Sequence, residues 1–216
     1  MVRATAATTS NYLTGYIDAT FTVTTATCAT GGACIVGNTG PGGGIVFYVQ
    51  ASGGTFACGA NLASTCKYLE AAPTLGTNAW TDVGRTWATN NVNNNWNKDV
   101  SGADGTAIGS GYQNSLDIVA QTGNVAATSA AVEARAYRGP NNLSDWYLPS
   151  KDELNQLYIR RATVGGITTN YYWSSSEVYS LETWYQDFTT SICCAGRQTN
   201  QAKYQSYYVR PVRAFG

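Results

Sequence analysis

Apolar positions along this chain fall into short runs separated by glycine, asparagine and serine, and each run has a period that predicts an element. Ile45-Val46-Phe47-Tyr48-Val49 is continuously apolar after a glycine turn, Gly37 to Gly44, and predicts a central strand. Tyr68-Leu69-Glu70-Ala71-Ala72-Pro73 predicts a second strand that stops at the proline. Residues 76–110 place Trp80, Trp87 and Trp96 among many Asn and Gly, the pattern of a long ordered loop pinned by aromatics, with Asn90 to Asn95 inside it. Residues 112–121 predict a helix with Leu116, Val119 and Ala120 on its buried face and Gly123 beyond its end. Residues 130–137 predict an Ala-rich helix after Thr128-Ser129. A third helix follows Ser150, which forms a capping box with Glu153, and buries Leu154, Leu157 and Tyr158. Residues 16–23 lean to strand.

Near the end the period changes to two. Trp184, Gln186 and Phe188 share one face of a strand, and Tyr185, Asp187 and Thr189 share the other. Two large aromatics predict that the first face is packed and the second presented. An ordinary amphipathic strand gives the same local alternation. The wider context adds something else. A repeating scaffold runs through the segments Tyr172-Trp173-Ser174-Ser175-Ser176-Glu177 and Val209-Arg210-Pro211-Val212-Arg213. The residues that fill its gaps share no chemical logic: Val178, Tyr179, Leu181, Thr183, Tyr185, Asp187, Thr190, Ser191, Ile192, Cys193, Cys194, Arg197, Thr199, Asn200, Ala202, Tyr204, Ser206 and Tyr207. A catalytic site needs particular groups at particular places. A display surface needs a fixed frame with free choice between its members, and this stretch has that form.

Composition narrows the function classes. Histidine is absent from all 216 residues, which removes the commonest general base and transition-metal ligand, so no catalytic residue is assigned. Thirteen basic and 13 acidic residues balance, so there is no global footprint for nucleic acid. Fifteen Tyr and 6 Trp are the residue types that dominate recognition surfaces. No apolar run is long enough to span a membrane. Met1-Val2-Arg3 leads into a Thr/Ala-rich stretch without an apolar core, so no signal peptide is visible.

Cys28 with Cys34 and Cys58 with Cys66 close short loops, separated by 6 and 8 positions. Disulfide staples are the first reading and free thiols the alternative; a zinc site is a further rival, for which the spacings are wider than those of zinc knuckles. Adjacent Cys193 and Cys194 are not expected to bond each other. The Gly40-Pro41-Gly42-Gly43-Gly44 loop lacks the lysine of a phosphate loop and precedes a strand, so it reads as structural. Lys151, Asp152 and Glu153 read as helix-start residues.

In order, the motifs are the glycine loop with Ile45-Val46-Phe47-Tyr48, then Tyr68 to Pro73, Ile108-Gly109-Ser110-Gly111 with Asn114, Trp146-Tyr147-Leu148-Pro149-Ser150-Lys151-Asp152-Glu153-Leu154, Tyr172 to Glu177, and Val209 to Arg213. This series resembles the C-terminal domain of collagen-like bacterial adhesins, a domain of C-type lectin-like fold. The C-terminal stretch is similar to the variable protein of a diversity-generating retroelement, in which adenine-directed, error-prone reverse transcription rewrites the end of a target gene. The resemblance implies an α+β, C-type lectin-like fold with few helices, a small antiparallel sheet and long ordered loops. It implies a Thr/Ala-rich arm over residues 1–33 and a domain over 34–216, with a variable region at about 171–209. The implied function is non-enzymatic display of a diversified ligand-binding surface. The alternative is an adhesin domain of fixed specificity for carbohydrate or glycosaminoglycan, for which a neutral chain lacks the basic surface. The expected partner is a protein or glycan on another cell or particle, with homo-oligomers compatible, no nucleic acid and no membrane span. The expected location is extracellular, on a cell surface or phage particle. The calcium-lectin motifs Glu-Pro-Asn and Trp-Asn-Asp are missing, so no cofactor is expected; Asn141, Asn142 and Asp145 are the candidate ligands for a structural calcium.

Overall fold

The computed structural model describes residues 26–88, 97–121 and 129–216. The strand-leaning segment 16–23, the asparagine tract with Trp96, Gly123 and Thr128 lie outside them. The described elements, in chain order, begin with strands β1 Ile45–Val49, β2 Phe56–Cys58, β3 Ser64–Cys66, β4 Tyr68–Ala71 and β5 Val83–Thr86. Helices α1 Gly111–Ala120, α2 Ala130–Ala136, α3 Lys151–Ile159 and α4 Arg161–Val164 follow. Strands β6 Tyr171–Tyr179, β7 Glu182–Asp187, β8 Gln198–Ala202, β9 Ser206–Val209 and β10 Val212–Phe215 close the chain. The class is α+β, with few helices, small sheets and long connections, as expected.

Among the described residues the strands form three sheets, ordered β1-β4-β10, β2-β3 and β5-β9-β6-β7-β8. The largest is mixed, because β6 and β9 run parallel where Tyr172 meets Tyr208. The first sheet joins the two ends of the domain: β4 pairs antiparallel with β1 on one side and with the last strand, β10, on the other. The expectation of a central β1 is therefore corrected. β4 is the central strand and β1 an edge, and the apolar run of β1 is explained by its inner residues Val46 and Phe47, which are buried against the rest of the fold.

The five-stranded sheet separates two apolar clusters, and neighbouring residues of β6 show it. Tyr172 joins Phe47, Leu69, Leu154, Leu157 and Phe188, while Trp173 joins Trp87, Ile118, Trp146 and Val209. Side chains alternate across a strand, so the two residues anchor opposite layers. Burying so many aromatics supplies much of the stabilisation, at roughly 25 cal/mol per Å².

The helices follow their signals with one correction. Ser150 accepts from Glu153 N and the Glu153 carboxylate accepts from Ser150 N, the capping box that starts α3. On α1 the buried residues are Gly111, Asn114, Ser115 and Ile118, not Leu116, Val119 and Ala120. The helix turns a polar stripe inward because it packs on loop backbone that needs partners: Asn114 donates to Gly105 O, and Ser115 Oγ accepts from Leu148 N.

Two cysteine pairs are disulfides as expected, Cys28–Cys34 and Cys58–Cys66. The first lies with Val46 in a small apolar cluster and so ties residues 26–33 to β1. The glycine loop is structural. It wraps the buried Glu70 carboxylate, which accepts from Gly42 N and Gly44 N at 2.9 Å each. A Cβ on Gly42 would stand 2.7 Å from Glu70 Oε1, so the chain's own carboxylate occupies the space a phosphate would need.

Candidate display surface

The frame is a set of buried polar contacts that fix backbone. Arg210, fully buried, holds both Asp82 oxygens at 2.6 and 2.7 Å and donates to Ala72 O and Gly166 O. Arg213 bridges Asp145 and Glu70 at 2.6 and 2.7 Å. The serine run does the same for β6. Ser174 Oγ donates to Trp184 O, Ser176 Oγ donates to Gly105 O and accepts from Lys151 N, and Ser175 N donates to Pro149 O. The β6–β7 register jumps between Trp173 and Glu177, where these side-chain and loop bonds take the place of a regular ladder. Glu177 and Lys203 form a buried ion pair, and Val100 N donates to the carboxylate. Burial pushes the Glu177 carboxyl up and the Lys203 ammonium down, and their contact opposes both shifts.

The face carrying Trp184, Gln186 and Phe188 is packed, as expected. Phe188 lies 4.6 Å from the Tyr172 ring and 5.1 Å from that of Tyr158. Gln186 is buried and donates to Asn155 Oδ1 and Gly196 O. Trp184 is only half-buried, with the Lys151 ammonium 3.9 Å over its ring.

The opposite face is less open than expected. Tyr185 and Tyr207 meet at 4.8 Å, each contacts Tyr171, and Trp173 lies beneath at 4.4 Å from Tyr207. Burial raises the phenol pKa of Tyr185 and of Tyr207, and the Gln201 side chain opposes this at Tyr207 through a hydrogen bond. Thr199 stands opposite Tyr185 across the β7–β8 pair. Thr183 and Asp187 are corrected out of the displayed set. Thr183 is fully buried and donates to Ser176 O, and Asp187, also buried, accepts from Thr189 N at 2.7 Å. Both support turns that other residues display.

The remaining candidates divide between the two ends of β7 and β8. At one end, Val178, Tyr179 and Leu181 are exposed on the β6–β7 hairpin, and Lys203 N bonding Leu181 O brings the turn with exposed Tyr204 beside them. Asn200 and Ala202 lie along β8 towards this end, where Asn200 donates to Glu182, and Ser206 is exposed at the start of β9. At the other end is the loop between β7 and β8, with Thr190, Ser191, Ile192, Cys193, Cys194 and Arg197. Ile192 is 106% exposed, its whole side chain in solvent. The paired strands run from Glu182↔Ala202 to Gln186↔Gln198, so the ends are about 14 Å apart at 3.4 Å per residue.

Cys193 and Cys194 are joined in a vicinal disulfide, which corrects the expectation that they would not bond. The loop supplies the reason: Ala195 N and Cys194 N both bond Ser191 O, and Arg197 N bonds Cys194 O, a tight turn that brings the two sulfurs together. Sequence reasoning did not single out Tyr171 or Gln201 for the surface. Tyr171 shares the period of two with Trp173, and that spacing was the available signal.

Two of the calcium candidates are engaged by other partners. Asn141 donates to Pro41 O, and Asp145 is held by Arg213, whose positive charge opposes a cation there. Among the described residues no group of three acidic or cysteine ligands converges, and no helix is long and apolar enough to cross a membrane. No protein-family model matches the chain, and no curated protein matches it.

Proposed function

We propose that this chain is a non-enzymatic binding protein of C-type lectin-like fold that displays a sequence-diversified surface, as the target of a diversity-generating retroelement does. One observation carries the reading. The backbone beneath the surface is held by buried groups of the frame, namely Ser174, Ser176 and the Glu177–Lys203 pair, while Arg210 and Arg213 tie together the strands and loops behind it. Side chains of the surface bond chiefly within their own neighbourhood: Thr199 to Asn200, Asn200 to Glu182, Ser191 to Cys193. A surface built this way accepts exchange of its side chains without loss of its support.

Binding then follows from composition and rigidity. Tyr179, Tyr185, Tyr204 and Tyr207 offer large contact area with few torsions to freeze, and Arg197 adds a planar donor. Thr, Ser and Asn between them supply adaptable hydrogen bonds. The absence of histidine and the burial of Glu153 inside its capping box support a role without catalysis.

The test is to sequence many copies of the gene from one population. Differences should concentrate between Val178 and Tyr207 and spare Trp173, Phe188 and Arg210. Differences spread evenly along the chain would overturn the diversified reading and favour an adhesin of fixed specificity.

A further inference from the structure

The disulfides differ in one respect that matters chemically. Cys28, Cys34, Cys58 and Cys66 are buried, whereas Cys193 is exposed and Cys194 half-buried, on the crest of the β7–β8 loop beside Ile192. Thiol–disulfide exchange begins with attack of a thiolate on a sulfur, so it needs an open approach. Solvent offers that approach at Cys193 and denies it at the buried pairs.

The loop is also built to survive the reaction. Gly196 N bonds Asp187 O at 2.7 Å, Thr189 N bonds the Asp187 carboxylate at 2.7 Å, and Arg197 N bonds Cys194 O at 3.0 Å. None of these bonds involves a sulfur. When the S–S bond opens, the peptide bond between the two neighbours keeps their Cα atoms 3.8 Å apart and the turn keeps its backbone bonds. The released thiol therefore stays next to its former partner, where an intramolecular reaction is strongly favoured over a bimolecular one. The Ser191 hydroxyl lies 3.2 Å from Cys193 Sγ, the sulfur open to attack.

We infer that Cys193–Cys194 is a reversible covalent capture site for thiol-bearing molecules. This stands on the loop itself and does not depend on the diversified-surface reading. A partner thiolate attacks Cys193 Sγ. The Cys193–Cys194 bond breaks, and its electron pair leaves on Cys194 Sγ as a thiolate. The product is a mixed disulfide between the partner and Cys193. Cys194 then attacks Cys193 Sγ in turn, expels the partner as its thiolate and restores the ring. The exchange is balanced and uses no outside oxidant. A second thiol in excess carries the pair to the reduced dithiol by attacking the mixed disulfide, and is itself oxidised with the first.

The experiment uses the whole folded protein with reduced glutathione as the probe. Thiols are blocked with N-ethylmaleimide and the peptides are mapped by mass spectrometry without reductant. Before glutathione, no cysteine in residues 26–216 should take the blocking reagent. After it, glutathione or blocking reagent should appear only on the peptide carrying Cys193 and Cys194. The double variant Cys193→Ser, Cys194→Ser should keep its melting temperature and lose all uptake. Blocking at Cys193 or Cys194 before any glutathione would overturn the inference, since the pair would be free thiols. Uptake shared with Cys28–Cys34 or Cys58–Cys66 would also overturn it, and so would no uptake by the native protein.

Discussion

Arg210 is the most connected group in the frame, and removing it gives the sharpest test of how the fold is held. Its side chain and that of Asp82 are 0% and 2% exposed. Four donations leave it, two to the Asp82 carboxylate, one to Ala72 O and one to Gly166 O. Tyr172 OH also donates to the same carboxylate. In Arg210→Ala the carboxylate stays buried without its cation, and two carbonyls lose a donor. Breaking a buried ion pair from one side costs about 3–5 kcal/mol. Orphaned carbonyls add roughly 1 kcal/mol or more each, so the expected loss is about 5–7 kcal/mol, a large share of a typical domain's stability. Arg210→Lys keeps the charge but not the fork and should lose about half as much. The cycle completes the argument. Asp82→Ala alone leaves Arg210 buried without its anion, and the double variant removes both charges. The double variant should be more stable than the sum of the single losses predicts, by about 2–3 kcal/mol. Urea unfolding of the four proteins at neutral pH measures this. High salt should change the coupling little, because a buried pair is poorly screened. A loss under about 1 kcal/mol for Arg210→Ala, or strict additivity, would refute the reasoning.

Further perturbations separate frame from surface. Phe188→Ala should cost about 3–5 kcal/mol in denaturant melts, whereas Tyr179→Ala should cost under about 0.5 kcal/mol, and Tyr185→Ala, which loses its ring contacts, about 1 kcal/mol. Equal losses at Phe188 and Tyr179 would mean that the two layers are wrongly assigned. Gly42→Ala should destabilise by about 1–3 kcal/mol, because its Cβ would press on Glu70 and on Trp146 at 2.8 Å. Burial raises the Glu153 carboxyl from 4.5 to about 7 despite the donors that face it. The folded state thus holds this proton more tightly than the unfolded state, so the contribution is full below pH 4.5 and is lost as pH rises to about 7. The change amounts to about 3 kcal/mol at 1.36 kcal/mol per unit. Glu153→Gln should flatten stability between those limits, and an unchanged pH profile would contradict the shift.

Sequence alone determined the elements whose signals are local. The Ser150–Glu153 capping box marked the start of α3, the continuous apolar run marked β1, and the run that stops at Pro73 marked β4. The period of two placed Gln186 and Phe188 on a packed face, because a strand's alternation is a property of its own backbone. The short cysteine spacings made the two buried disulfides the first of three readings, since neighbours in sequence are neighbours in space. What depended on distant partners was decided only in three dimensions. β1 became an edge because β10, far away in sequence, took the other side of β4. The α1 helix turned Asn114 and Ser115 inward because the carbonyl of Gly105 and the amide of Leu148 needed bonds there. Thr183 and Asp187 left the surface, although their period put them with Tyr185, because the Ser176 carbonyl accepts from the Thr183 hydroxyl and the Thr189 amide donates to Asp187. Cys193 and Cys194 joined because the loop's backbone bonds curl it tightly enough. Periodicity says which way a side chain points, but what it meets there is set by distant chain segments, 143 residues away between Arg213 and Glu70.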